Sequence, residues 1–336
     1  MHSILGSKVL SAIKLKPITV DNLALRFKVP KKEINDAMRE LRNAGVRVEK
    51  FGKAYGIALI RNEKPKVLEY HSRPDGTYLF GACGDNHIGS KYARDDVLNM
   101  LYDRYEEEGV DRVFNTGNWI DGEARFNMHD LLVHGMDNQL AELTRVYPQR
   151  EGIITYAVSG DDHEGWYDQR FGVDIGKRAE QSMRDIGRDD WVHLGFMECF
   201  IKLVDSRTGK TATLAVVHPG GGSAYALSYS IQKIVESYEG GEKPAVGLYG
   251  HYHKLWSGNI RNMWAVQTGT TEDQTPFMRK KRLEAHVGGT LVKLKQDPAT
   301  GAIVEMGCTI LRYFNKGYYN GRWSHANRVV HAKRAH

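Results

Sequence analysis

The chain has 336 residues, of which 41% are hydrophobic and 26% are charged, the ordinary profile of a globular protein with two or three domains. No apolar run reaches the length of a membrane span, and the N-terminal stretch lacks the charged start and long apolar segment of a secretory signal. The three cysteines are scattered without a CxxC pair. The sequence therefore argues against a disulfide framework or a zinc ribbon, and predicts a cytoplasmic protein with no membrane partner.

The net charge of +6 is unevenly distributed along the chain. Residues 1–60 carry a net charge of +7 and residues 312–336 carry +6, whereas residues 61–311 carry −7. Basic ends around an acidic centre predict a polyanion held at the periphery and cations held in the middle. A solvated surface with a chance asymmetry of charge is the alternative.

Residues 1–60 are predicted to form a small separate domain. The segment TVDNLALRF has Leu23 and Phe27 on one helical face, and KKEINDAMRELRNAG is a periodic helix that ends at Gly45. The alternating segment VRVEKFGKAYGIAL predicts a hairpin. Helix, turn, helix and basic hairpin together resemble a winged helix-turn-helix, and the polar residues 61–76 that follow are predicted to be a linker.

A basic stripe on the second of these helices, together with the basic hairpin, favours nucleic acid as the partner of this domain. Residues three or four apart share one face of a helix, and such a face can enter a major groove. The alternative is that the domain mediates protein contacts, as in a homodimer. The predicted nucleic-acid contacts are Lys32, Asn35, Arg39, Arg42, Lys50 and Lys53.

From residue 77 onward, strand-like and helix-like segments alternate. This pattern predicts an α/β domain over residues 77–311, with functional loops at the carboxyl ends of its strands, followed by a basic tail over residues 312–336. Strands are predicted near 77–83, 111–116, 153–159, 211–217, 245–249, 264–267, 286–295 and 303–314, and helices near 93–107, 130–146, 173–186 and 224–238.

Acidic, amide and imidazole side chains follow five successive predicted strands. A single histidine after a strand is more often a hydrogen-bonded structural residue than a ligand. Packing gives no reason to place hydrophilic side chains there five times, whereas a site at the carboxyl edge of a sheet does. These side chains are Asp85, His87, Asn118, Asp121, Asp161, Asp162, His163, Glu164, His218, His251 and His253.

The ordered set DxH, GNxxD, GDDHE, H and GHxH resembles the calcineurin-like metallophosphoesterase superfamily, and within it the DNA-processing nucleases. The family pattern is DxH, GDxxD, GNH followed by an acid, a lone His and GHxH, and the match covers about residues 78–270. The resemblance implies an α/β fold with a two-sheet sandwich flanked by helices, to which the small winged-helix domain is added. It also implies hydrolysis of a phosphoester.

Carried over position by position, the resemblance implies two divalent metal ions and a histidine beside the scissile phosphate. Mixed Asp, Asn and His ligands suit Mn²⁺, with Fe²⁺ or Zn²⁺ as alternatives. The first ion would be held by Asp85, His87 and His253, and the second by Asp162, His218 and His251, with Asn118 as the bridge between them and His163 beside the leaving oxygen.

Two departures from the family pattern concern the charge of this site. In GDDHE, Asp162 takes the place of the family's Asn, and a carboxylate is at least as good a ligand. In GNxxD, Asn118 replaces the bridging Asp, and a neutral amide oxygen binds metals weakly. The two exchanges either compensate in total charge, or Asn118 makes the protein weakly active or inactive.

The sequence therefore predicts a metal-dependent phosphodiesterase, a nuclease that hydrolyses nucleic acid, with DNA favoured over RNA and the winged helix recruiting the polymer. One alternative is a phosphoesterase that acts on a small nucleotide and uses the winged helix for dimerisation. The other is a nucleic-acid-binding protein whose metal site is too weak to catalyse.

Overall fold

The computed structural model describes residues 3–57, 68–124, 126–222, 224 and 226–314. Its helices are α1 (Ile4–Leu15), α2 (Val20–Phe27), α3 (Lys31–Asn43), α4 (Asp95–Glu107), α5 (Met136–Val146), α6 (Gly165–Phe171), α7 (Ile175–Asp185), α8 (Tyr229–Ser237) and α9 (Pro276–Lys281), with a 3₁₀ turn at Gly240–Glu242. Its strands are β1 (Ile18–Thr19), β2 (Val48–Phe51), β3 (Ala54–Ile57), β4 (Glu69–His71), β5 (Thr77–Cys83), β6 (Arg112–Asn115), β7 (Ile154–Ser159), β8 (Trp191–Phe196), β9 (Glu198–Val204), β10 (Thr211–Val217), β11 (Val246–Tyr249), β12 (Leu255–Ile260), β13 (Met263–Thr268), β14 (Gly288–Gln296) and β15 (Ile303–Arg312).

Two six-stranded mixed sheets form the larger part of the protein. The β5 sheet has the strand order β15-β14-β5-β6-β7-β8, and the β10 sheet has the order β12-β13-β11-β10-β9-β4. Apolar side chains from both sheets, among them Phe80, Phe114, Ile201 and Leu248, belong to one buried cluster. The sheets therefore pack face to face around a shared core.

Helices cover the outer faces of the sandwich. Leu101 of α4, Leu143 of α5 and Met183 of α7 are buried in a cluster against the β5 sheet. Ile231 and Val235 of α8 are buried with β10 and β11 side chains on the other side. The predicted α/β class, a two-sheet sandwich flanked by helices, is confirmed by this architecture.

The N-terminal unit has the element order α1-β1-α2-α3-β2-β3, and its strands form the three-stranded antiparallel sheet β1-β3-β2. The two helices and the hairpin expected from periodicity are present, and Leu23, Ile34 and Leu41 are buried between the helices. Helix α1 was not anticipated, although the Ser3 side chain caps it by accepting the backbone N–H of Gly6. The assignment as a winged helix-turn-helix stays a prediction.

The N-terminal unit docks on the segment that joins α6 to α7. The Gly172 carbonyl oxygen accepts the backbone N–H of Arg47 (2.8 Å), and the Gly45 carbonyl oxygen accepts that of Asp174 (3.2 Å). Val173 is buried in the core cluster of the N-terminal unit. The sandwich and the small unit therefore share both backbone hydrogen bonds and apolar contacts.

The structure differs from the predicted segments in two respects. Residues Glu69–His71, inside the predicted linker, form β4, which pairs with β9 at the edge of the β10 sheet. Strands β1, β8, β9 and β12 and helices α6 and α9 were not predicted, because they are short or lie close to their neighbours in the chain. Residues 58–67 of the linker and 315–336 of the tail lie outside the described residues. Within the described part of the chain, none of the helices has the length and apolar character needed to cross a membrane.

Candidate metal centre

Loops from both sheets meet at one edge of the sandwich. Strands β5, β6 and β7 run parallel, as do β10, β11 and β13, so the loops that follow each set leave from one edge of their sheet. The two sets of loops touch: the His251 backbone N–H donates to Asp85 Oδ2 (2.8 Å), and His218 Nδ1 lies 2.7 Å from the Thr116 carbonyl oxygen. One site is therefore built from the ends of both sheets.

Asp85, His87 and His253 form a buried cluster at this edge, with one ligand atom from each within 4.8 Å of the others. The Nε2 atoms of the two histidines are 3.1 Å apart. Asp85 Oδ1 lies 3.5 Å from His253 Nε2 and 3.9 Å from His87 Nε2. These are the residues expected to hold the first metal ion, and the structure brings them together.

The rings of His87 and His218 each form a hydrogen bond through the nitrogen that points away from the site. This bond determines that the other ring nitrogen faces the site. His87 Nδ1 lies 3.0 Å from the Asp121 carboxylate, an acceptor that requires an N–H, so His87 Nε2 carries the lone pair. His218 Nδ1 donates in the same way to the Thr116 carbonyl oxygen, and His218 Nε2 has no hydrogen-bond partner. Burial lowers the pKa of His87 to about 3 and that of His218 to about 4. Both rings are therefore neutral and available as ligands.

Asn118 lies between Asp85 and His218. Its Nδ2 donates to Asp85 Oδ1 (3.3 Å), while its Oδ1 is buried without a hydrogen-bond partner. That Oδ1 faces Gly160, where an added Cβ would lie 2.2 Å from it and 3.0 Å from His218 Nε2. The amide thus occupies the space between the two predicted ligand sets, and only glycine fits at position 160.

Glu164 fixes the loop that carries Asn118. One oxygen of its buried carboxylate accepts the backbone N–H groups of Asn118 (2.9 Å) and Gly160 (2.6 Å), which follow β6 and β7. Burial raises the pKa of Glu164 to about 7. This carboxyl group therefore joins the two loops and has a positioning role.

The second predicted ligand set is brought together only in part. The His218 and His251 rings pack edge to face with centroids 5.3 Å apart. Asp162 is exposed at the rim and lies outside the metal-ligand clusters of the described residues, whereas Asp161 has a buried Oδ1 without a hydrogen-bond partner. Asp162 lines the cavity at the site, and its role as a metal ligand stays a prediction.

Buried polar atoms that have no hydrogen-bond partner concentrate at this site. Each such atom costs roughly 1–3 kcal/mol when it stays unpaired. Carboxylate and amide oxygens and imidazole nitrogens together are donors that suit a divalent transition metal. The residues present therefore fit a bound divalent cation. The atoms are Asn118 Oδ1, Asp121 Oδ2, Asp161 Oδ1, Glu164 Oε2, His218 Nε2 and His253 Nδ1.

The backbone of the site is strained. Left-handed φ values for residues with a Cβ cost roughly 1–2 kcal/mol each, and they persist only where the surrounding contacts determine them. The loops therefore hold these side chains in directions that relaxed loops would not give. The residues are Asp85 (48°), His87 (49°), Asn118 (53°), His251 (72°) and His253 (53°).

His163 lies beside this cluster, with its ring centroid 4.3 Å from that of His87. Its Nδ1 is 3.0 Å from Asp121 Oδ1 and 2.8 Å from the Asp121 carbonyl oxygen. Burial disfavours a charged ring, but the hydrogen bond and charge of Asp121 outweigh it and raise the pKa of His163 to about 9. The His163 ring is therefore protonated at neutral pH and held by an ionised carboxylate.

Glu272 is a residue of this site that sequence analysis missed. It is buried, its Oε2 lies 3.9 Å from His87 Nε2, and its Oε1 accepts the Ser90 hydroxyl (2.8 Å). Burial, reinforced by the charge of Asp121, raises its pKa well above the ordinary range. Glu272 follows the predicted strand near 264–267, but its place at this edge depends on the parallel pairing of β13 with β11, which the sequence alone does not show.

The predicted nucleic-acid contacts lie on α3 and on the hairpin of the N-terminal unit. Arg42 Nε donates to the Val48 carbonyl oxygen (3.3 Å), and its guanidinium lies over the Tyr55 ring. The Arg39 guanidinium pairs with Asp36 (3.3 Å). All six predicted residues are exposed, namely Lys32, Asn35, Arg39, Arg42, Lys50 and Lys53.

No protein-family model and no curated protein matches the chain. Among solved structures, it is similar to an archaeal phosphodiesterase at 12% identity, with 70% of this chain and 100% of that chain covered and a TM-score of 0.36. It is similar to Vps29 of Entamoeba histolytica complexed with zinc at 14% identity, with 70% and 99% covered and a TM-score of 0.33. A putative 5'-nucleotidase of Staphylococcus aureus is 11% identical, with 72% and 55% covered and a TM-score of 0.35. At these levels the function has to be inferred from the side chains of this chain.

The pairing of Asp121 with His163 can be tested in metal-free protein. We expect His163 to titrate near 9, so that it is charged at pH 7 and loses its proton only as the pH rises through that value. In Asp121→Asn, burial remains and the attracting charge is lost, so the pKa of His163 should fall by well over one unit. Histidine NMR over a pH series measures both values. An unchanged pKa in the variant would contradict the pairing.

Proposed function

We propose that the protein is a metal-dependent phosphodiesterase that hydrolyses nucleic acid, with DNA favoured over RNA. The observation that supports this most directly is the juxtaposition of unpaired buried ligand atoms with His163, whose Nδ1 lies 3.0 Å from the Asp121 carboxylate. Asp85, His87 and His253 would hold one ion, and His218 and His251 would contribute to a second. Two divalent ions, when bound, clamp a phosphate and lower the pKa of a bridging water.

The residues of the chain would divide the remaining work between them. The protonated ring of His163 donates its proton to the leaving oxygen, and Asp121 orients that ring and stabilises its charge. Glu164 keeps the Asn118 loop in register with the loop after β7. Burial of the donor set excludes water from the back of the site, which strengthens each electrostatic contact.

The proposed nucleic-acid substrate is supported by the place where the N-terminal unit docks. The exposed lysines and arginines on α3 and on the hairpin form the basic face of the N-terminal unit. This unit is anchored at Gly172 and Val173, immediately after α6. Helix α6 has seven residues and begins directly after Glu164, so it spans only about 10 Å from the site loop. The point at which the N-terminal unit is anchored therefore lies close to the loop that carries Glu164, which supports a substrate that contacts both the unit and the metal centre.

A small-nucleotide substrate is the second candidate, and the size of the cavity favours it. The site opens into a cavity of about 340 Å³ lined by His87, Asn118, His163 and Glu272. That volume lies at the lower end of the range for small-molecule sites. The two candidate substrates differ in the role that they give to the basic face, since a mononucleotide bound at the metal centre would not contact it.

Removing the His163 ring tests its role in the reaction. We expect His163→Ala to retain most of its metal and to lose on the order of 10²–10⁴-fold in turnover on diesters with poor leaving groups. The loss should be small for p-nitrophenyl esters, because that leaving group needs no proton. Elemental analysis and paired kinetics measure these effects. Loss of metal in the variant would make His163 a ligand instead.

A substitution at position 118 tests whether this residue bridges the two proposed metal ions. Asn118→Asp should raise affinity for Mn²⁺ and single-turnover cleavage by at least about tenfold, because a carboxylate between two cations replaces a neutral amide. Titration calorimetry with Mn²⁺ and quenched-flow cleavage measure the two effects. Asn259→Asp makes the same charge change on exposed β12 and serves as the control. If neither quantity changes in Asn118→Asp, residue 118 does not contact the metals.

The basic face is tested by removing charge rather than by deleting the unit, because a deletion would expose Val173. Replacing Lys32, Lys50 and Lys53 with Gln should weaken oligonucleotide binding and reduce the slope of log affinity against log salt by about 2–3, since each lost phosphate contact contributes about 0.9. Fluorescence anisotropy at several salt concentrations measures the slope.

The control removes three exposed charges from the sandwich, at Lys202, Lys233 and Lys293. We expect this second triple variant to keep the salt slope of the unmodified protein. Equal slopes for all three proteins would assign the N-terminal unit to protein contacts and favour the small-nucleotide substrate.

A further inference from the structure

We propose that Phe126 and Phe277 form an aromatic platform on which an unpaired nucleobase stacks while its phosphate lies at the metal centre. The inference rests on the proposed function and narrows its substrate to nucleic acid with unstacked bases. Phe126 belongs to the loop after β6, and Phe277 to the first turn of α9.

Both rings are exposed where most large apolar side chains are buried. Phe126 is 52% exposed and Phe277 is 45% exposed, and neither belongs to a hydrophobic cluster of the described residues. The next residue, Met278, is buried in the core and anchors α9. The fold therefore does not need either phenyl ring. Both rings cover a part of the cavity wall that water would otherwise contact.

The two rings continue the row of side chains that begins at the metal centre. The Phe126 ring is 5.4 Å from that of His163 in an edge-to-face arrangement, and the Phe277 ring lies a further 5.9 Å away, tilted by 38°. All three side chains line the same cavity. When the phosphate of a ligand lies beside His163, a neighbouring group of the same ligand can therefore contact the platform.

A nucleotide matches this arrangement of charge and aromatic surface. Its phosphate is separated from a flat aromatic base by a single sugar, and bases stack on phenyl rings with little dependence on sequence. Arg279, Lys280 and Lys281 follow Phe277 on α9, Arg282 caps the helix, and all four are exposed, so positive charge for neighbouring phosphates lies beside the platform. A protein segment could use the apolar rings but not the ligand cluster below them.

Stacking on the platform requires the base to leave its neighbours. Unstacking a paired base costs a few kcal/mol, and the cost is least for a base that is already single-stranded. The platform therefore predicts faster cleavage of single strands and frayed ends than of duplex interiors.

The test is a double-mutant cycle. It combines removal of a phenyl ring from the protein with removal of a base from the oligonucleotide. Phe126→Ala, Phe277→Ala and the double variant are titrated with a single-stranded oligonucleotide in Ca²⁺, which limits cleavage, and with matched oligonucleotides that carry one abasic site at successive positions. Loss of a stacked ring should weaken binding of both oligonucleotides to different extents. The loss in affinity should be roughly 5- to 100-fold larger for the intact strand than for the strand whose abasic site lies at the platform.

Two further variants separate stacking from general damage. Phe277→Trp should restore the preference for the intact strand, because it restores a ring. Phe200→Ala removes a 40%-exposed phenyl ring from β9 and should leave both affinities unchanged. Equal losses on intact and abasic strands at every position would overturn the platform.

The unmodified protein distinguishes this inference from the proposed function. If it cleaves methyl p-nitrophenyl phosphate but neither binds nor cleaves any oligonucleotide, the nucleic-acid function fails and the platform fails with it. If it cleaves oligonucleotides and the ring variants show no coupling to the base, only the platform is overturned.

Discussion

The site depends on one buried residue, Asp85, through which four loops are held together. Its backbone N–H donates to the Gly117 carbonyl oxygen, and its own carbonyl oxygen accepts the Thr270 hydroxyl (2.7 Å) and the Thr271 N–H (3.1 Å). Its carboxylate accepts the backbone N–H of His251. Loops from the two sheets are thus tied to each other through Asp85, in addition to the contact of His218 with the Thr116 carbonyl oxygen, and the left-handed residues of the site lie in these loops.

This arrangement concentrates ionisable groups in a buried site. The Nε2 atoms of His87 and His253 lie 3.1 Å apart, and the side chains of Asp85, Asp121 and Glu272 surround them with little exposure to water. Burial would normally drive such carboxylates toward their neutral forms, but contacts with the histidines hold the pKa of Asp85 and Asp121 below the usual range. A bound dication would attract the buried carboxylates of Asp85 and Asp121, so binding energy at this site would also be folding energy.

The sequence was informative wherever a local pattern decided the structure. Continuous apolar strands such as β5 and the strongly periodic α3 could be predicted because their own residues specify them. The docking of Val46 against Val173 and the approach of Glu272 to His87 depend on pairings between distant segments, which no local pattern contains.

Asn118 has opposite effects on the metal-free and the metal-bound protein. Without metal, its amide nitrogen donates a hydrogen bond to Asp85, whereas an aspartate there would add a like charge 3.3 Å from a buried carboxylate. With metal, the same amide offers only one neutral oxygen to the cations. A carboxylate at 118 would therefore strengthen metal binding and weaken the empty fold, and the present residue favours a site that stays ordered before metal arrives. Under the proposed function, Asn rather than Asp at position 118 would therefore shift the balance between folding and metal binding, and would also change the charge of the site.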